Sequence, residues 1–375
     1  KNFYMNKISL LVIGNDASLL NINSASSKRA KSYASLVERY DTLTLANNDA
    51  VIQLADNASV YGVKKSNRFI TYFNLIKIAL KKIKTTNYTI ISAQDPFEFG
   101  LLACVLSKIN NCKFHLQEHG DFFGTGNKYW LKESWFNGLR NVLGRILLPR
   151  ADGIRVVSQR IKGSLINIGV DERKISVVPI IEKSEVLTSE HINNQNLNVI
   201  FVGRLVKAKN ITMILKAIDI CLKDQSFKGK FYFVGNGEMK ERINNFILEK
   251  RINNQLELID WTDDLNAIYA SADVLLLTSW HEGWGRVVVD AGAYGVVPIM
   301  TKIGCAEELI IDKYNGLLVD FNDHHQLAEK IIYLSQNKNE LEKMSVNIKN
   351  DVNVLMTNYD LKQKMFASWQ KTINA

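Results

Sequence analysis

"DVLLLTSWHEGWGRVVVDAGAYG", residues 273–295, decides how the rest of the chain is read. Its apolar run, VLLLTS, has the length and composition of a buried parallel strand and gives way to a short polar loop. Gly283 and Gly285 permit close backbone approach there, and a helical pattern starts near Arg286. Strand, glycine-interrupted loop and helix make the repeating step of a βαβ fold, whose ligands gather at strand C-terminal ends.

This step carries two carboxylates, Glu282 in the loop and Asp290 in the early turns of the helix. At 1.5 Å rise per residue they stand on the order of 10 Å apart. That is too far to share a proton but about the length of a sugar–diphosphate–ribose ligand. A glycosidase pair needs carboxyls about 5–5.5 Å or about 6.5–9.5 Å apart, flanking one bond. Two acids strung along a helix start are better placed to grip two hydroxylated ends of one ligand.

The same alternation extends in both directions. Before this step come NVIFVG, the helix NITMILKAIDICL, KFYFVG, the helix GEMKERINNFILEK, LELIDW and the helix DLNAIYASA; after it come VVPIMT and NGLLVD. Further upstream KISLLVIG, TLTLA, YTIISAQ, KFHLQEH and GIRVVS read as strands of another series, with helical stretches between most of them. The polar stretch 179–198 separates the two series and reads as a linker. A chain of 375 residues is also too long for one ordinary core, because single cores stop growing near roughly 250–300 residues. The expected fold is therefore α/β, two Rossmann-like lobes in series with parallel sheets facing across a cleft. The boundaries are 1–185 and 186–355, and a C-terminal helix at about 356–375 is free to return to the first lobe.

Three motifs bear on chemistry. VGRLVKAKN (202–210) places Arg204 and Lys209 in a loop that opens a helix, a setting suited to a diphosphate. FVGNGEMK (233–240) offers G-x-G after a strand, but the third position of a dinucleotide fingerprint falls on Lys240, so a tight turn is the better reading than a nicotinamide site. HLQEH (115–119) matches a zinc-protease pattern that requires a helix; here it reads as a strand ending in glycine, with its two histidines about 13 Å apart. His119 is then a strand-end group at the cleft.

Taken together, these motifs resemble glycosyltransferase family 4, of the two-lobed kind called GT-B, whose signature is E-x7-E after a strand of the second lobe. The resemblance covers most of the chain. ADGIRVVSQRIKGSLINIGVDERKISVVP (151–179), VGRLVKAKN, FVGNGEM, SWHEGWGRVVVDAGAYGVVPIMT and CAEELIIDKYNGLLV follow its pattern in its order. It implies that Arg204 and Lys209 bind the donor diphosphate and that Glu282 holds hydroxyls of the donor sugar. Backbone N–H groups from Gly283 through Trp284, Gly285 and Arg286 to Val287 would line sugar and phosphate. Asp290 would take the second Glu's place on the ribose, one methylene shorter than the family residue. His119, in EHGD, would sit by the anomeric carbon, and Gly14 would border the diphosphate, although the usual glycine pair is reduced to GN.

The implied reaction transfers a sugar from a nucleotide-diphosphate donor, a UDP- or GDP-sugar, to an acceptor hydroxyl with retention of configuration. No nucleophile is evident, and no metal or other cofactor is expected, since two cations serve the leaving diphosphate and TDD at 262–264 lacks a strand-end D-x-D placement. The acceptor expected is a polysaccharide or lipid-linked glycan of surface glycan biosynthesis. The readings set against this one are a nucleotide-sugar epimerase or non-catalytic nucleotide-sugar-binding protein on the same scaffold, and a dinucleotide oxidoreductase.

Charge and cysteines bound the setting. The net charge of +9 lies in the first half: residues 1–190 carry 26 Lys and Arg against 16 Asp and Glu, whereas residues 191–375 carry 21 against 22. No nucleic-acid motif accompanies the basic half, so nucleic acid is not expected as a partner and an anionic membrane surface ranks above it. KKSNRFITYFNLIKIALKKIKTTN (64–87) reads as a basic amphipathic helix with Phe69, Phe73, Ile76 and Leu80 on one face; NKYWLKESWFNGLRNVLGRILLPR (127–150) adds Trp130, Trp135 and more cations. Those faces either pack on the sheet or meet an anionic membrane. Cys104, Cys112, Cys221 and Cys305 are scattered and fit a reducing compartment. The run Ile8–Gly14 reads as a first strand rather than a signal peptide, and no stretch reaches the roughly 18 apolar residues of a membrane span. The expected location is the cytoplasm, with peripheral attachment to the inner face of the cell membrane as its extension.

Overall fold

The computed structural model describes residues 8–124, 127–181, 196–262 and 264–375, with the side chain of residue 127 left aside. It divides into two compact units, Lys1–Gly124 with Leu131–Pro179 and Asp360–Ala375, and Thr125–Trp130 with Ile180–Tyr359. Most of the stretch read as a linker lies outside the described residues, as does Asp263 of TDD.

In the first unit the order is β1 (Ser9–Gly14), α1 (Ala25–Ala34), β2 (Arg39–Ala46), β3 (Ala50–Ala55), β4 (Ala58–Lys64) and α2 (Arg68–Thr85). Then follow β5 (Ile90–Ala93), α3 (Glu98–Ile109), β6 (Lys113–Glu118), α4 (Asn127–Glu133, whose residues up to Trp130 belong to the second unit), α5 (Phe136–Leu147), β7 (Gly153–Val156), α6 (Gln159–Asn167) and β8 (Ile175–Val177). The eight strands lie in the order β3-β4-β2-β1-β5-β6-β7-β8. Every residue of β1 is buried, which explains its unbroken apolar run.

This sheet is parallel, as expected, except at one edge. β3 pairs antiparallel with β4 through a hairpin whose two loop residues are Asp56 and Asn57. The reason is the edge: β3 alternates half-buried and exposed positions, as one-sided strands do.

The basic stretch 64–87 forms the expected helix, α2. α2 turns Thr71, Leu75, Ala79 and Ile83 inward, whereas Phe69, Phe73 and Ile76 are exposed and Leu80 is half-buried. Two apolar stripes run along this helix, and only one meets the sheet. Trp130 is buried and Trp135 exposed, so the second aromatic-rich stretch divides in the same way.

In the second unit the order is β9 (Leu197–Val202), α7 (Ile211–Cys221), β10 (Gly229–Val234), α8 (Lys240–Lys250), β11 (Leu256–Ile259), α9 (Asn266–Ala270) and β12 (Val274–Leu277). It continues with α10 (Arg286–Gly292), β13 (Val297–Thr301), α11 (Ala306–Leu309), β14 (Leu317–Val319), α12 (His324–Gln336) and α13 (Lys338–Asn358). All five pairings are parallel, in the order β11-β10-β9-β12-β13-β14. The direction of winding reverses between β9 and β12, the switch point where such sheets open a crevice for ligands.

The last helix, α14 (Leu361–Ile373), belongs to the first unit. Trp369 is enclosed there, edge-on to Tyr33 at 5.6 Å, and joins the core built on β1 and α1.

Candidate functional site

The loops after β9 and β12 leave neighbouring strands at the switch point of the second sheet. Arg204 and Lys209 sit on the first. It passes through a short 3-10 turn, Lys207–Lys209, before Asn210 adopts a left-handed conformation and α7 begins. Arg204 is exposed, whereas Lys209 is mostly covered.

Glu282 lies on the second loop, and its carboxylate takes two partners: the Lys209 ammonium, in an ion pair, and the Ser279 hydroxyl, which donates at 2.8 Å. The loops are tied through their backbones as well, the Trp280 N–H donating to the Ala208 carbonyl at 2.9 Å and the Thr278 hydroxyl to the Lys209 carbonyl at 3.2 Å. Asn322 accepts from Asn210 at 3.0 Å and from the Trp280 indole at 3.2 Å, closing the arrangement from the far side of the sheet order. A cation and a carboxylate are thus held together, each on a braced loop.

Gly285 caps α10 with φ +85°, a left-handed conformation that turns the loop into the helix. Gly283 is half-buried; Trp284 and Gly285 are buried. The Trp284 carbonyl accepts from the Cys305 N–H at 2.6 Å. Among the described residues the Trp284 indole N–H has no partner although it is buried. Arg286 and Val287 open the helix, and Arg286 pairs with Asp290 one turn on, at 3.3 Å. Asp290 therefore stands on the helix that follows the Glu282 loop, its carboxylate paired with Arg286.

The G-x-G after β10 has a structural explanation. Gly235 and Gly237 have φ of +149° and +153°, and a Cβ on them would lie 2.0 Å from the Gly203 carbonyl oxygen and 2.4 Å from that of Leu205. These glycines let the β10 loop lie against the loop that carries Arg204 and Lys209.

Two site candidates belong to the first unit. Gly14 ends β1 with the Gln94 side chain against it, where a Cβ would lie 1.9 Å from Gln94 Oε1. His119 follows β6 directly. Its pKa is pushed down, first by surrounding protein and then by the like charges of Arg155 and Arg29. His119 is open to solvent, which limits this depression, whereas His115 is fully enclosed.

His115 Nδ1 and the Ser92 hydroxyl are 2.8 Å apart, and burial, with Arg155 adding to it, lowers its pKa to about 3. Within HLQEH the strand covers 115–118, its first histidine enclosed and neutral. Among the described residues no cluster of three metal-ligating side chains occurs.

Sequence reasoning missed Ser279, Asn210, Asn322, Gln94 and Glu118. Glu118 is buried with no partner for either carboxylate oxygen among the described residues, and burial, then the Asp121 charge, raises its pKa. Of these, Ser279 alone carried a signal, three residues before Glu282 in the same loop.

Comparison with known proteins adds to this geometry. Residues 183–351 match the family model described as glycosyl transferases group 1, and residues 42–180 match that of glycosyltransferase family 4. An uncharacterised glycosyltransferase of Methanocaldococcus jannaschii is 29% identical over 76% of this chain and 77% of its own. An alpha-1,4-N-acetyl-D-galactosaminyltransferase of Campylobacter jejuni, whose name specifies a PP-undecaprenol-linked glycan, is 28% identical over 76% of this chain and 75% of its own. Among solved structures, Anabaena HepE, in complex with UDP and glucose, superposes with a TM-score of 0.72 at 16% identity over 97% of this chain and 99% of its own. The chain belongs to the group 1, family 4 glycosyltransferases of GT-B fold and is an enzyme that uses nucleotide sugars.

Proposed function

We propose that this enzyme moves a sugar from a UDP- or GDP-sugar to an acceptor hydroxyl, with the anomeric configuration retained and without a metal ion. The acceptor is a lipid-linked or polysaccharide glycan of surface glycan biosynthesis, and the enzyme works in the cytoplasm. The observation that carries the reading is the pairing of Lys209 with Glu282 at the switch point of the second sheet. It supports adjacent sites for a diphosphate and for sugar hydroxyls. The undecaprenol-linked glycan in the name of the Campylobacter relative supports the acceptor class.

In this reading Lys209 and Arg204 stabilise the charge that grows on the leaving diphosphate, the largest single demand of such a transfer. Glu282, released from Lys209, accepts from donor-sugar hydroxyls while Ser279 keeps it oriented. Backbone N–H groups from Gly283 to Val287, through Trp284, Gly285 and Arg286, line sugar and phosphate. Asp290 holds the ribose. We assign His119 to the reacting sugar and Gly14 to the diphosphate, as the family resemblance implies. No side chain acts as a nucleophile; attack on the same face, with the departing phosphate oxygen taking the acceptor proton, accounts for retention.

The test is acceptor-dependent release of nucleoside diphosphate in a chelator, followed by NMR of the new anomeric proton before the product equilibrates. Release with the donor's configuration supports the reading; inversion overturns the retaining mechanism. Nucleotide binding without acceptor-dependent release, across lipid-linked and polysaccharide acceptors, returns the protein to the binding-protein alternative.

A further inference from the structure

The first unit carries a surface that includes none of the site residues assigned above. β4 to β5, β5 to β6 and β6 to β7 are successive steps in one direction across the sheet, so right-handed crossovers place α2, α3 and α5 side by side on one face. Their ends are joined at Glu98 on α3. Its carboxylate accepts from Arg68 of α2 at 2.8 Å and from Arg140 of α5 at 2.9 and 3.1 Å. Arg68 also lies over the Phe136 ring, 4.8 Å from its centre, and Trp135 stacks on Phe136 at 3.7 Å.

Each of these helices turns a second apolar stripe outward. On α2, Phe69 is 88% and Phe73 67% exposed, with Ile76 following a turn later. Leu101, Val105 and Ile109 are exposed on α3 at four-residue spacing. At α5 the exposed series is Trp135, Leu139, Val142 and Ile146, the spacing of one helix face. Scattered exposed apolar residues are ordinary, but three adjacent helices exposing such series make a contiguous patch.

The charge around the patch selects its partner. The three helices hold eight cations and a single acid, Glu98, which is already engaged by two of them. Lys77, Lys81 and Lys84 stand exposed along α2, as do Lys108 on α3 and Arg145 on α5. A second copy of this face would bring like charges together, and a bare polyanion would leave the aromatic and aliphatic stripes in water. An anionic bilayer answers both halves: aromatic side chains settle at headgroup depth while lysine stems extend their ammonium groups to lipid phosphates. No helix among the described residues is long and apolar enough to cross a membrane, so the contact lies on its surface.

We infer that the α2–α3–α5 face docks this enzyme on an anionic lipid bilayer. The inference is read from the first unit alone and needs none of the donor-side assignments.

The test is flotation of the full chain with vesicles of equimolar phosphatidylglycerol and phosphatidylcholine, against vesicles of phosphatidylcholine alone, with no donor or acceptor present. Two variants probe the two halves of the face, Phe73→Ser with Leu139→Ser and Lys77→Glu with Lys84→Glu; all four positions are exposed, and unchanged circular dichroism and melting confirm folding. The wild type should bind the anionic vesicles, less as salt rises, and each double variant should lower partitioning by roughly tenfold or more. No binding by the wild type overturns the inference, as does equal binding by both variants. Loss in the lysine variant alone would reveal a general polyanion surface. A change of oligomeric state in the apolar variant without loss of vesicle binding would reveal a subunit interface. Either result contradicts bilayer docking.

Discussion

Lys209 and Glu282, 73 residues apart in sequence, are ion-paired across two loops that leave the neighbouring strands β9 and β12. The Ser279 hydroxyl holds the same carboxylate oxygen, so Glu282 keeps a fixed orientation if Lys209 turns to another anion. The side chains are 19% and 15% exposed, which leaves the pair only weakly screened. An incoming diphosphate would compete with Glu282 for Lys209, and the freed carboxylate would seek hydroxyl donors. Binding of phosphate and of sugar are coupled in this account.

Glu282→Gln tests that coupling. The amide keeps the size and an acceptor for Ser279 but loses the charge. We expect turnover to fall by about 10²–10³, while nucleoside diphosphate affinity is kept or rises, because Lys209 is freed of its competing carboxylate. Steady-state kinetics beside calorimetry separate the effects; a loss of nucleotide affinity matching the loss of turnover would move Glu282 to the phosphate.

Asp290 is assigned to the ribose although it pairs with Arg286. Asp290→Ala should weaken a nucleoside diphosphate by about tenfold, the scale of a lost hydrogen bond to a charged group, and leave inorganic pyrophosphate unaffected. The pair is partly exposed, so stability should stay within about 1 kcal/mol. Equal weakening of both ligands would remove the ribose assignment.

Much of this arrangement was legible in the sequence because it is local. The run VLLLTS, the glycines at 283 and 285 and the helical pattern after Arg286 are written in one continuous segment, and β12 and α10 fall on them. The β3–β4 hairpin was not legible, because its short alternation and Asp56-Asn57 turn look like an ordinary polar connection between stronger signals. Periodicity showed an apolar face on α2 but not which of two stripes would be covered, since that depends on the neighbouring strands. The Lys209–Glu282 pair and the Asn322 bridge join distant segments, and no local pattern reveals them.

Glycine placement yields opposite effects at two sites. Gly235→Ala forces a side chain into a left-handed backbone and onto the Gly203 carbonyl, and should cost about 2–4 kcal/mol. Gly163→Ala lies within α6 with open space around it, and should stabilise by about 0.5–1 kcal/mol. Urea unfolding midpoints check both, and a neutral Gly235→Ala would refute the close approach of the two loops.

His115 makes stability depend on acidity. It stays neutral in the fold down to about pH 3 while the unfolded chain takes up its proton below the ordinary histidine value of 6.5. The unfolded state then binds more protons, so this contribution is intact above 6.5 and is lost as pH falls toward 3. Between neutrality and pH 5 the loss should be about 1–2 kcal/mol. His115→Gln should flatten that slope relative to wild type. Glu118, with its raised pKa, acts in the opposite direction and cancels in the comparison because both proteins contain it. Parallel slopes would mean that His115 is protonated within the fold.

The most direct measurement is calorimetric titration of UDP and GDP into wild type and Lys209→Ala, each with and without EDTA. One of the two nucleotides should bind the wild type equally well in both conditions, and Lys209→Ala should lose at least about tenfold in affinity, as expected when a charge-assisted contact to phosphate is removed. Undiminished binding by Lys209→Ala, or binding by the wild type that vanishes in EDTA, would contradict the metal-free diphosphate site at the centre of this account.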